Sequence, residues 1–130
     1  MFRSVSRVAV ACFLACAATT AWTTEAAPAQ AELTLSVCTG SLLLGVAGLL
    51  QGREATTHHG AFGELRAISP DITVCENRRI IDTGNIVTSG GISSGIDMSL
   101  YVVSRLLGEA VAPETAAYME YRWQPEQASA

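Results

Sequence analysis

The most constraining feature of the chain is the run Leu33-Thr34-Leu35-Ser36-Val37, which stops abruptly at Cys38-Thr39-Gly40 and gives way to SLLLGVAGLLQG. The first segment is short and β-compatible. The second is apolar at nearly every position, so no face is set aside for water and the helix has to be buried among neighbours. The same alternation continues downstream. Residues 54–57 read as the next strand, and residues 60–67 as a short amphipathic helix stopped by Ser69-Pro70. Residues 72–75, 79–82 and 85–88 are three short strands, separated by turns at Glu76-Asn77-Arg78 and Thr83-Gly84. Residues 93–107 are helical with Gly108 as the stop, and residues 113–121 form a final helix. Strands alternating with helices predict an α/β fold with a mainly parallel sheet covered on both faces.

The first thirty residues have a different character. MFRSVSR carries two arginines and no acid, VAVACFLACAATTAW is apolar and small, and an Ala-x-Ala site follows at Ala27-Pro28-Ala29 or at Thr24-Glu25-Ala26. This is the pattern of a secretory signal peptide over residues 1–29. Its apolar core is shorter than the roughly 20 residues a membrane span needs, so no membrane anchor is expected after cleavage. Cys16 after Phe13-Leu14-Ala15 makes a poor lipidation site. The expected location is periplasmic or secreted; a misplaced start codon would make the protein cytoplasmic.

Composition narrows the function. With 130 residues, 49% of them hydrophobic, the chain is one domain and not a disordered one. Its eight basic residues are all arginine and face twelve acids. Phosphate-backbone binding needs clustered positive charge, so nucleic acid is not an expected partner. Beyond residue 29, Cys38 and Cys75 are the remaining cysteines, and their different contexts favour free thiols. One His pair and two distant cysteines have no metal-ligand spacing, and Gly90-Gly91 and Gly95 have no phosphate-loop spacing. No cofactor is therefore expected. These glycines suit a tight turn and close helix packing, Cys75 a packed strand, and Arg78-Arg79 a charged turn.

The chemistry centres on Cys38. A cysteine where a strand turns abruptly into a helix occupies a nucleophile elbow. A sulfur near a helix N-terminus is favoured as thiolate, and the N–H groups of Thr39 and Gly40 are placed to cradle an oxyanion. A buried cysteine at a strand end is the competing, purely structural reading.

LTLSVCTGSLLLGVAGLLQGREATTHH resembles the nucleophile region of the ThiJ/PfpI family, part of the class I glutamine amidotransferase-like superfamily. NIVTSGGISSGIDMSLYVVSRLLGEAVA resembles the same family's glycine turn and following helix. Tyr118-Met119-Glu120-Tyr121 with Gln124-Pro125 is similar to the tail of its isonitrile hydratase branch. The resemblance spans residues 31–126, leaving 127–130 as a tail. It implies a flavodoxin-like parallel-sheet sandwich with Cys38 as the reactive thiol, backed by Thr39 and Gly40. It also implies that His58 matches the family histidine that shares the cysteine's proton or orients substrate. Asp97 falls at a family-typical position that capping or packing explains equally well.

The resemblance also implies βα units ahead of the elbow, contributing strands and an acid that hydrogen-bonds the cysteine. Glu25 and Glu32 are the only acids before Cys38, and neither lies in a matching motif. The domain is thus expected to be incomplete, its C-terminal part only. Uncovered sheet edges then favour a homodimer or looser association. Two function classes stand. One is a cysteine-dependent hydratase or hydrolase of a small-molecule electrophile such as an isonitrile. The other is a truncated, non-catalytic domain: a binding or sensor remnant, or a relative of transcription regulators lacking its DNA-binding module.

Overall fold

A computed structural model describes residues 8–11 and 31–125. Its elements are β1 (Val8–Ala11), β2 (Leu33–Val37), α1 (Gly40–Val46), β3 (Glu54–Ala55), a 3₁₀ turn (His59–Ala61), α2 (Phe62–Ile68), β4 (Thr73–Val74), β5 (Ile80–Asp82), β6 (Ile86–Ser89), α3 (Ser94–Leu107) and α4 (Val111–Tyr118). The main sheet has the order β1-β2-β6-β5. β1 and β6 both run parallel to β2, with Val8 opposite Leu33 and Val37 opposite Ser89. β5 is antiparallel to β6, an arrangement common at the edge of an otherwise parallel sheet. β3 and β4 form a separate parallel pair.

Alternation along β2 divides the core. Leu33 and Leu35, with Val87 of β6, pack with Ile80 against Met98 and Val102 of α3. On a second side, Leu44 of α1 and Leu65 of α2 join Leu50, Ala55, Ile72 and Ile86. Each such side chain, once fully buried, contributes about 1.5–3 kcal/mol. A third cluster, Leu100 with Ala112 and Ala116, fastens α4 to α3. The expected α/β layering is present.

Three local expectations need adjusting. The apolar run after Cys38 stops being helical at Val46, because Gly48 at φ +76° turns the chain out of the helix; Gly52 was expected to do this. Its remaining leucines still enter the core, Leu50 without exposure. The expected strand over 54–57 pairs at Glu54–Ala55 alone. Residues 1–29 were read as lying outside the folded domain, yet Val8–Ala11 forms β1 beside β2. The same alternating VAVA sequence suits a strand as well as a leader. Cleavage sites 24–29 lie outside the described residues.

Candidate functional site

Cys38 terminates β2 with φ +58°, a left-handed conformation costing a non-glycine residue about 1–3 kcal/mol. The neighbouring elements hold it there. Its N–H is shared between the carbonyl oxygens of Ser89 (3.1 Å) and Gly90 (3.2 Å), where β6 ends alongside β2. Its own carbonyl oxygen accepts from Thr57 Oγ1 at 2.9 Å and Ser41 Oγ at 3.1 Å, two buried hydroxyls. The elbow is thereby tied to α1, to β6 and to the segment after β3. The half-buried thiol is free, as is that of Cys75. The N–H groups of Thr39 and Gly40 find no acceptor among the described residues and remain available to an oxyanion.

His58 is half-buried on the segment after β3. Its Nδ1 accepts from the N–H of Gly60 at 3.1 Å, which leaves Nε2 as the nitrogen with a free role. The ring lies flush against Gly91, where a Cβ would come within 2.5 Å of His58 Cδ2. The ring of the exposed His59 is 4.1 Å away, centroid to centroid. Close helix packing is equally visible at Gly95, where a Cβ would sit 2.9 Å from Val37 Cγ1. Gly95 thus acts as the sequence suggested, through close helix packing, while at Gly91, expected only to allow a tight turn, the close neighbour is the His58 ring.

The Gly90-Gly91 turn links the two halves of the site, since Gly90 accepts from Cys38 and Gly91 carries the His58 ring. Among the described residues, no hydrogen bond joins the Cys38 sulfur to His58 or to a carboxylate, and Glu32 is exposed. A cavity of about 490 Å³ adjoins this turn, lined by Thr57, His58, Arg79, Gly91 and Ser93 among others, but not by Cys38.

Arg79 and Asp97 buttress the turn. Arg79 Nε donates to Asp97 Oδ2 at 2.9 Å, and Nη2 reaches the same oxygen and Ser93 Oγ. Arg79 O accepts from the N–H of Gly90. Asp97 is buried, and its Oδ1 accepts from the Tyr121 hydroxyl at 2.9 Å, a bond that raises the Tyr121 pKa. Asp97 therefore joins β5, α3 and the C-terminal segment rather than capping a helix. The sequence reading missed Thr57, Ser41 and the inward role of Arg79. A signal existed for Thr57, because a hydroxyl beside an otherwise buried β segment needs a partner.

Burial pushes the Cys75 thiol pKa up, Glu54 raises it further, and Arg78 lowers it. Among the described residues no group of three or more His, Cys, Asp or Glu is placed to hold a metal, and no helix is long and apolar enough to cross a membrane.

The DJ-1/PfpI family profile matches residues 11–105. Isonitrile hydratase from Pseudomonas putida is 45% identical over 93 residues, covering 72% of this chain and 40% of that protein. An HTH-type transcriptional regulator from Pseudomonas aeruginosa is 35% identical over 60% of this chain and 23% of its own length. The crystal structure of a ThiJ/PfpI family protein from Pseudomonas syringae superposes with a TM-score of 0.67 at 33% identity, over 76% of this chain and 40% of that one. The chain thus spans well under half the length of these relatives, as part of a flavodoxin-like fold. On the profile match, the elbow and the superposition together, the chain belongs to the DJ-1/PfpI family.

Proposed function

We propose that Cys38 is the nucleophile of a small-molecule hydratase of the isonitrile hydratase type. The observation that carries the reading is the left-handed Cys38 at a strand-to-helix elbow, held by hydrogen bonds on both its N–H and its carbonyl. In this reading the sulfur attacks the terminal carbon of an isonitrile, forming a C–S bond while that same carbon takes up a proton, which leaves a thioimidate with its C=N bond intact. Water then adds to that carbon and the C–S bond breaks, releasing an N-substituted formamide and restoring the thiol. The net change is addition of one water, with no redox step. His58 Nε2 is the group offered for proton movement, and the N–H groups of Thr39 and Gly40 for stabilising developing negative charge. Incubation with an alkyl isonitrile, with formamide measured by mass spectrometry, tests the reading. Turnover that vanishes in Cys38→Ala supports it; turnover unchanged in that variant refutes it.

A second reading is a non-catalytic binding domain related to transcription regulators. It is favoured by the absence, among the described residues, of any hydrogen bond from His58 or a carboxylate to the Cys38 sulfur. Absence of turnover in a protein that still binds small electrophiles at Cys38 would select it.

Two further proposals accompany these. The leader supports export, which the intact mass of material from the periplasm or medium tests; cleavage near residue 29 would also remove β1. The exposed Val46, Leu107 and Tyr118 and the edge position of β1 support self-association, which sedimentation velocity tests.

A further inference from the structure

Two carboxylates tie α3 to the β5 region, and each takes one tyrosine and one arginine. Asp82, at the end of β5, accepts from the Tyr101 hydroxyl and from Arg105 Nη1 through Oδ2. Asp97, in the first turn of α3, accepts from the Tyr121 hydroxyl through Oδ1 and from Arg79 Nε and Nη2 through Oδ2. The side chains are similarly buried, 12% exposed at Asp82 and 7% at Asp97, so each is a fair control for the other. A buried ion pair is weak evidence for stability, because desolvating the charges offsets much of their attraction. What separates the two groups is the turn that each one holds.

The Asp82 group holds the turn between β5 and β6, where Asp82 Oδ1 accepts from the N–H of Gly84 and Arg105 Nη2 donates to Gly84 O. The Asp97 group holds the turn at Gly90-Gly91. Two successive glycines have no side chains to fix their own path, and their backbone is the least restricted in the chain. Arg79 supplies the restraint. Its carbonyl accepts from the N–H of Gly90 at 2.9 Å and its Nη2 donates to Ser93 Oγ at 3.3 Å, so one residue grips both ends of the turn. Asp97 keeps the guanidinium there with two donors on one oxygen. The turn in turn touches both halves of the site: Gly90 O accepts from the N–H of Cys38 at 3.2 Å, and Gly91 rests against the His58 ring.

We infer that Asp97 is a positioning residue of the Cys38–His58 site. Through Arg79 it sets the Gly90-Gly91 turn, and the turn sets the elbow and the His58 ring. Tyr121 completes the device by holding the other oxygen of Asp97, on a segment turned back after α4 by the left-handed Glu120 at φ +53°. The inference rests on the proposed function for the meaning of a reactive Cys38, and on the turn alone for the placing of His58.

The test compares full-length Asp97→Asn and Tyr121→Phe with the matched controls Asp82→Asn and Tyr101→Phe. Three quantities are read: the thermal midpoint, the His58 ring resonances by NMR, and the rate of Cys38 alkylation by iodoacetamide relative to Cys75. In that alkylation the thiolate sulfur displaces iodide, forming C–S as C–I breaks. Asp97→Asn should lower the Cys38-to-Cys75 rate ratio by about two- to thirtyfold, the span of residues that act on a site from a distance. It should also displace the His58 resonances. Tyr121→Phe keeps the ion pair and should act in the same direction but less, which carries the test if Asp97→Asn does not fold. The Asp82 and Tyr101 variants should move the thermal midpoint and leave the other two readouts at wild-type values.

If the Asp97 and Tyr121 variants change Cys38 and His58 no more than the controls do, the group is merely structural and the inference is overturned. The proposed function fails separately. A wild-type Cys38 that labels no faster than Cys75 removes the nucleophile, while a His58 displacement confined to the Asp97 and Tyr121 variants still upholds the positioning role. A fast-labelling Cys38 indifferent to Asp97 keeps the nucleophile and removes the positioning role.

Discussion

Thr57 Oγ1 donates a 2.9 Å hydrogen bond to the carbonyl oxygen of Cys38, so a residue nineteen positions downstream holds the elbow in its left-handed conformation. Thr57→Val keeps the shape and removes the donor. The carbonyl retains Ser41, so a stability loss of about 1 kcal/mol is expected. The larger consequence should fall on Cys38, whose alkylation rate should drop as the elbow relaxes. Urea denaturation and thiol labelling, done side by side, separate the two effects; a labelling rate equal to wild type would show that the elbow needs no such support.

Gly91 is where the His58 ring rests. An added Cβ would meet Cδ2 at 2.5 Å, and the ring, at the far end of a side chain, is what would move. Gly91→Ala should therefore displace the His58 ring resonances by NMR, with a modest change in thermal midpoint. If the hydratase reading holds, turnover should fall in parallel with His58→Ala. An unshifted His58 in Gly91→Ala would contradict the packing described.

Alkaline pH probes the contact between the middle of α3 and β5. Tyr101 donates to Asp82 Oδ2 at 2.7 Å, and burial with that bond pushes its pKa from 10.0 up to about 12. In the unfolded chain the phenol ionises near its ordinary value, so the stabilisation is complete below that value. It is lost as pH rises from the unfolded pKa towards and through the folded one. Unfolding midpoints should fall across this window, less steeply in Tyr101→Phe. Equal slopes in the two proteins would mean the bond contributes nothing to alkaline stability.

The sequence revealed those parts of the site that depend on neighbours along the chain. Cys38 was legible because a strand, a break and a buried helix are consecutive, whereas His58 was marked by the family resemblance and not by its place in the chain. Gly95 was legible as a close helix contact and Gly91 as part of a tight turn, though not the His58 ring that rests on it. Contacts between distant residues were not. Arg79 looked like half of a charged turn, but it reaches 18 residues on to Asp97. Asp97 read as a family-typical position that capping or packing explains equally well, whereas folding brings Tyr121 and Arg79 onto its two oxygens. Val8–Ala11 shows the converse limit, since small apolar alternation is compatible with a leader and with a strand, and pairing with β2 is a tertiary fact.

The central claim is that Cys38 is a nucleophile made by its elbow. Competitive alkylation of the folded full-length protein at about pH 7, read peptide by peptide by mass spectrometry, tests it most directly. Burial and Glu54 disfavour the Cys75 thiolate, and the free thiol ionises near pH 8.5, so an ordinary cysteine reacts slowly there. The account predicts that Cys38 is labelled well before Cys75, that the preference disappears on unfolding in urea, and that His58→Ala slows it. Equal labelling of Cys38 and Cys75 in the folded protein, indifferent to His58, would contradict it.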